Sequence, residues 1–260
     1  MIFAPDLLTG HVAIVTGGGT GIGKGVAIEL ARAGASLVLA GRREEPLSAA
    51  AEEIEAIGGT CLGVPTDVRD WDQVQAMAKA AVDRFGRVDV LVNNAGGQFG
   101  SPFEQLSPNG WRAVLETNLT GVFNCVRAAG DVMIQQKRGK VLNIIAGFTR
   151  RAAPNLAHSG AARAGVENLT RSLALEWACH NIQLNCISPV VLTEAMTRNM
   201  GGRVDDFVRS IPAGRSADAA EVGWLAVFLA SRAGDYITGE HIVMDGGYWL
   251  STAVAGMREA

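Results

Sequence analysis

The chain has 260 residues, 48% hydrophobic and 19% charged, and its 23 basic and 26 acidic side chains leave a net charge of −3. That composition excludes a collagen-like repeat, a disulfide scaffold and a disordered chain. The acidic balance argues against a general nucleic-acid binder, which needs a basic surface to neutralise phosphates.

Taken in chain order, short β-branched or apolar runs predict strands over 11–16, 36–40, 61–66, 88–92, 140–146, 182–188 and 241–244. Between them, helical patterns run over 21–33, 45–57, 70–85, 111–136, 161–178 and 219–230, the first placing Ile22, Val26, Ile28 and Leu30 roughly on one face. Strict alternation implies a doubly wound α/β fold, a parallel sheet with helices on both faces. Strands that are apolar throughout fit burial on both sides. With no linker, repeat or low-complexity tract, one domain over 1–260 is expected. The stretch 190–213 holds Gly201, Gly202 and Pro212, lacks a clean period and follows a strand end, where open α/β sheets bind ligands. It is expected to be a mobile substrate loop, with an ordinary surface excursion as the alternative.

Four cysteines, Cys61, Cys125, Cys179 and Cys186, form no C-x-x-C pair and read as reduced thiols of a cytoplasmic protein. His11, His158, His180 and His241 are scattered, so no metal is expected. Residues 1–10 lack the basic cluster of a signal peptide, and no apolar run of about 18 residues is present to insert in a membrane.

The run Thr16–Gly23 (TGGGTGIG) sits between the first strand and the first helix. Gly17 allows the tight turn, Gly21 lets backbone approach a pyrophosphate, and Gly23 lets helix pack on strand. The helix N-terminus adds unpaired N–H groups and partial positive charge. The second strand ends in Gly41-Arg42-Arg43, where a carboxylate would take a ribose diol and select NAD. Guanidinium groups there suit a 2′-phosphate, which favours NADPH/NADP+ with Arg42 as the contact; a solvated helix start is the alternative. Asp67, after the third strand, is placed to accept from the adenine amino group or to cap a helix.

These motifs, with Asn93–Gly96 (NNAG), Asn118 and Asp245–Gly247 (DGG), resemble the short-chain dehydrogenase/reductase family in order over about residues 8–250. The resemblance implies a Rossmann-type sheet, a nicotinamide cofactor and often a homotetramer. It extends the cofactor set to Thr20, Ile22, Val68, Asn94, Ala95, Gly96, Arg163 and Pro189. The family's proline-glycine turn reads Pro189-Val190 here, and Thr193 stands one residue early. A narrower likeness, in Gly96–Phe99, 111–121, 158–165 and 168–177, is to trans-2-enoyl-CoA reductases of the peroxisomal type. The TGGGTGIGKG opening is shared with 2,4-dienoyl-CoA reductases. Both imply NADPH and an acyl-CoA substrate.

The family's usual set is Asn, Ser, Tyr and Lys, with Tyr and Lys four apart on one helix face. The only two tyrosines here are Tyr236 and Tyr248. In the family register Ser159 stands for Tyr, Arg163 for Lys and Ala146 for Ser, and only Asn118 agrees. The position after the fifth strand that supplies a tyrosine in dienoyl-CoA reductases is Phe148, and a register two turns later reads Glu167 and Arg171. The expected catalytic residues are therefore Asn118, Ser159 and Arg163, acting as hydrogen-bond donors and cofactor holders in enoyl thioester reduction. Arg150 and Arg151 are candidates for CoA phosphates. Carbonyl reduction with an unusual proton relay, and a catalytically silent NADP(H)-binding protein, are the rival readings.

Overall fold

In the computed structural model, which describes residues 2–149 and 152–250, seven parallel strands form one sheet in the order β3-β2-β1-β4-β5-β6-β7. They are β1 (Val12–Thr16), β2 (Ser36–Gly41), β3 (Thr60–Pro65), β4 (Val90–Asn93), β5 (Gly139–Ile144), β6 (Ile182–Pro189) and β7 (His241–Met244). Strand order reverses between β1 and β4, which opens a crevice at their C-terminal ends.

Alternate residues of each strand point to opposite faces. Ala13, Val15, Leu37 and Leu39 bury one way, with α1 (Gly21–Arg32), α2 (Glu44–Ala56) and α9 (Ala219–Ala230). Ile14, Val38, Leu91 and Val141 bury the other way, with α3 (Trp71–Phe85), α5 (Gly121–Gln136) and α6 (Ala157–Trp177). This is the doubly wound α/β fold the alternation implied, and the sheet is of the Rossmann type that the family resemblance implied. Burial on both sides holds for β1, β4 and β5, but β3 lies at the sheet edge and is only partly covered despite its apolar sequence. An edge strand has one neighbour, and sequence alone does not say which strand that is.

Three stretches differ from their predicted form. The run expected over 111–136 begins earlier, at α4 (Pro108–Leu115), where Ser107 caps it by accepting from the Gly110 N–H and Pro108 occupies the first turn. It then passes through a π-helical turn, Glu116–Thr120, before α5. The widened turn frees the Val114 carbonyl, and the Asn118 side chain donates to it at 2.9 Å. α6 starts a turn earlier than expected, so Ser159 lies on the helix rather than before it. The stretch 190–213 is not aperiodic coil. It holds α7 (Glu194–Met200) and α8 (Val204–Ser210), each seven residues long, too short to show a helical period and separated by Gly201 and Gly202.

Candidate active site

The crevice is built from the turns that follow β1, β2 and β4. Gly17 leaves β1 at φ 65°, and its N–H donates to Ala40 O at 2.7 Å. A Cβ at Gly17 would meet Asn94 Nδ2 at 2.7 Å, and one at Gly23 would meet Gly17 O at 2.3 Å. Neither position accepts a side chain. No side chain caps α1 at Thr20, which lines the groove, so the first amides of the helix, from Gly21 and Ile22 on, have no side-chain cap. The groove runs along Gly17, Thr20, Arg42, Asp67, Val68 and Gly96. These features fit a dinucleotide: no Cβ at Gly21 where a pyrophosphate approaches, a helix N-terminus with unanswered donors, and cations at the far end.

Arg42 and Arg43 are exposed at that far end, and neither makes an ion pair among the described residues. Asp67 lines the groove but does not cap a helix. Arg69 grips its carboxylate through Nε at 2.9 Å and Nη2 at 2.5 Å, which holds the carboxyl below its usual range. The cap of α3 is Asp70, which accepts from the Gln73 N–H. Val68 is buried against Gly121, and its carbonyl accepts from Asn124.

Asn94 ties the crevice walls together: its Nδ2 donates to Thr16 O at 3.0 Å and Gly17 O at 3.3 Å. The Thr16 hydroxyl accepts from both the Asn94 and Ala95 N–H groups at 3.0 Å. Thr16 thus fixes the β4 turn, a role that its place at the end of an apolar strand beside a glycine turn could have signalled.

At the inner end of the groove the structure brings together Gly96, Asn118, Ser159 and Arg163. Asn118 is fully buried. Its Oδ1 accepts from Gly97 N–H at 3.1 Å and its Nδ2 donates to Gly97 O at 2.7 Å. A Cβ on Gly96 would lie 2.5 Å from both Arg163 Nη2 and Asn118 Oδ1, so this glycine is wedged between them. Arg163 donates through Nη1 to Ile144 O at 2.8 Å, while its Nε is buried without a partner. Burial lowers its pKa to about 10, with no carboxylate beside it, so it remains a cation at neutral pH.

Ser159 is fully buried, and its hydroxyl donates to Gln98 Oε1 at 2.7 Å. Gln98 is exposed, and its amide nitrogen has no partner among the described residues. Sequence reasoning gave Gln98 no role, because nothing in a glycine-rich loop says which helix its side chain will reach. His158, next to Ser159, is fully buried with its ring 4.7 Å from that of Phe99 and no hydrogen-bond partner on either nitrogen. Burial lowers its pKa, partly offset by the nearby Phe99 carbonyl.

Other candidates lie elsewhere. Glu167 and Arg171 pair with each other, and Glu167 faces His241 on β7 at 3.3 Å. Tyr236 is fully exposed beyond α9, and the Tyr248 ring packs at a tilt against Phe207 of α8. Pro189 ends β6, and Val190 N–H continues the pairing to Met244 O at 2.9 Å. Thr193, although one residue early, caps α7 and sets its methyl 3.4 Å from where a Gly21 Cβ would be. Arg150, Arg151 and the side chain of Phe148 lie outside the described residues.

A parallel sheet with a glycine turn and an open helix N-terminus at its switch point defines a dinucleotide-binding oxidoreductase fold. Residues 17–249 match the family described as enoyl-(acyl carrier protein) reductase. A probable 2,4-dienoyl-CoA reductase of Bacillus subtilis is 40% identical, the match covering 92% of this chain and 96% of that protein. A peroxisomal 2,4-dienoyl-CoA reductase of Danio rerio is 37% identical, with 97% and 86% covered. A crystal structure of a short chain dehydrogenase from Bacillus anthracis is 38% identical, with a TM-score of 0.88, 95% of this chain and 99% of that one covered. The chain belongs to the short-chain dehydrogenase/reductase family and is an oxidoreductase of that type, a family that works with a nicotinamide cofactor. No helix among the described residues is long and apolar enough to cross a membrane.

Proposed function

We propose that this protein uses NADPH to reduce the C=C bond of a 2-enoyl or 2,4-dienoyl thioester, an acyl-CoA in the first instance. When bound, the nicotinamide supplies a hydride. Arg42 takes the 2′-phosphate, the first turn of α1 takes the pyrophosphate, and Arg163 holds ribose hydroxyls with the donors that the protein leaves unanswered.

The observation that carries this reading is the cluster of Ser159, Gln98 and Arg163, with Asn118 setting the wall beside it. All are hydrogen-bond donors, and none gives up a proton near neutral pH. Reducing a ketone needs a proton at oxygen, and lacking a positioned acid typically costs about 10²–10⁴ in rate. Reducing a conjugated C=C puts hydride on Cβ. The negative charge that reaches the thioester oxygen is held by donors without taking their proton, and Cα is protonated from water. A single such donor is worth about 10²–10³. Ser159 acts here through Gln98: its one hydroxyl proton fixes the amide oxygen and leaves the amide N–H facing outward. The similarity to two dienoyl-CoA reductases supports the same substrate class.

The test is NADPH consumption by the purified protein with 2-enoyl-CoA and 2,4-dienoyl-CoA thioesters of several lengths, beside 3-oxoacyl-CoA and simple ketones. The enoyl thioesters are expected to turn over fastest. Faster turnover of the 3-oxo compounds overturns the reading in favour of a carbonyl reductase. NADPH binding without turnover on any of them leaves a silent binding protein.

A further inference from the structure

β2 and β3 are neighbours, and their last residues, Gly41 and Pro65, are partners in register. The chain runs on from one into Arg42 and Arg43 and from the other into Thr66 and Asp67, with Thr66 N–H donating to Gly41 O at 2.8 Å. Two cations and a carboxylate therefore leave adjacent strand ends, and all three line the same groove. Asp67 is the one acid among the described residues that line it. Opposite charges so placed attract, yet Arg42 and Arg43 make no ion pair among the described residues.

The reason is that Asp67 is already occupied. Arg69 donates its backbone N–H to Oδ1 at 3.1 Å, its Nε to Oδ1 at 2.9 Å and to Oδ2 at 3.1 Å, and its Nη2 to Oδ2 at 2.5 Å. A carboxylate offers about four acceptor directions, and this clasp fills most of them. Arg69 is the main cause of the lowered Asp67 pKa, and Arg42 adds to it through space without a hydrogen bond. The carboxylate thus feels Arg42 but is held by Arg69.

We propose that Arg69 is a positioning residue that sets cofactor choice: by clasping Asp67 it keeps that carboxylate from capturing the guanidinium groups after β2, and so leaves Arg42 free to take a 2′-phosphate. The clasp acts in two ways. It denies Asp67 a second cation, and it offsets a negative charge close to where a dianionic phosphate is to sit. Without Arg69, phosphate and Asp67 compete for Arg42. This role rests on the reading of Arg42 as the 2′-phosphate contact and is independent of which thioester is reduced.

Titration of the full-length protein with NADPH and with NADH, followed by nicotinamide fluorescence, tests this without any turnover. The two cofactors differ only in the phosphate, so the ratio of their affinities isolates the 2′ end. Arg69→Ala is expected to lower the preference for NADPH over NADH about two- to fivefold, the range of a competing, partly exposed ion pair. The double variant Arg69→Ala/Asp67→Asn is expected to regain the wild-type preference, because an amide has no charge with which to hold Arg42. A residue that merely shaped the turn would weaken both cofactors alike, and a second change in the same turn would not rescue it. An unaltered preference in Arg69→Ala, an equal loss of both cofactors, or a double variant no better than the single one each overturns the role of the clasp. If Arg69→Ala does not fold, Arg69→Gln, which keeps a donor but not the charge, carries the same expectations alone and with Asp67→Asn. Arg42→Ala, titrated in parallel, separates the two levels. If it keeps the wild-type preference, Arg42 reads no phosphate, and the cofactor reading and the clasp fail together. If it loses the preference while Arg69→Ala keeps it, only the clasp fails.

Discussion

Arg42 and Asp67 show how far a residue's type foretells its work. Two adjacent guanidinium groups at the end of β2 were read as a candidate 2′-phosphate site, and both are exposed and make no ion pair among the described residues. A charge-assisted hydrogen bond to a 2′-phosphate is worth about 1.5–3 kcal/mol, or about 10- to 100-fold in affinity. Arg42→Ala is therefore expected to raise KM for NADPH by about that factor and to leave NADH nearly unchanged, as steady-state kinetics with both cofactors would show. An equal loss with NADH would mean that Arg42 does not read the phosphate. Asp67 was legible as a carboxylate in the right turn, but not as one gripped by Arg69 two residues on. Ser159 was legible as a donor, whereas its partner Gln98 was not, since the two are 61 positions apart in sequence.

Among the elements, the break between α4 and α5 carries the most for the site. An amphipathic pattern reads as one helix through 111–136, because a π turn adds a residue to a turn without disturbing the apolar face on either side. That extra residue lets Asn118 turn inward and answer Gly97 on both its N–H and C=O. Asn118→Leu keeps the size but strands the Gly97 groups and Val114 O. Unmet polar groups in buried positions cost about 1–3 kcal/mol each, so the variant is expected to lose at least that much in denaturant unfolding. Its kcat should fall with it, because Gly96 and Arg163 share the same wall. Unchanged stability would place the Asn118 amide outside the fold's framework. The excursion after β6 teaches the converse: helices of seven residues give too few repeats for a period to emerge, so neither was legible in the sequence.

For the molecule as a whole, pH dependence reports how the wall packs on α6. His158 is buried and uncharged in the fold, its pKa lowered by desolvation, while in the unfolded chain an imidazole titrates near 6.5. Above about pH 6.5 neither state carries the proton, and His158 leaves stability flat. As pH falls below that, the unfolded chain binds the proton first, so stability is lost progressively until the lowered native pKa is reached. Thermal unfolding at pH 7.5 and 5.5 should show a smaller drop in Tm for His158→Leu than for the wild type. Equal drops would mean that the ring is not held neutral. Alternating β and α patterns, the TGGGTGIG turn and the arginines after β2 already specify a doubly wound sheet and a dinucleotide groove with two cations at one end. Those signals are local: a period, a turn and a charge are properties of neighbouring residues. Strand order, the edge position of β3, the Ser159–Gln98 bond, the wedge of Gly96 between Asn118 and Arg163, and the Tyr248–Phe207 contact came only with folding. Each joins segments tens of residues apart, and which of many compatible side chains meet is settled by packing the whole sheet and its helices at once.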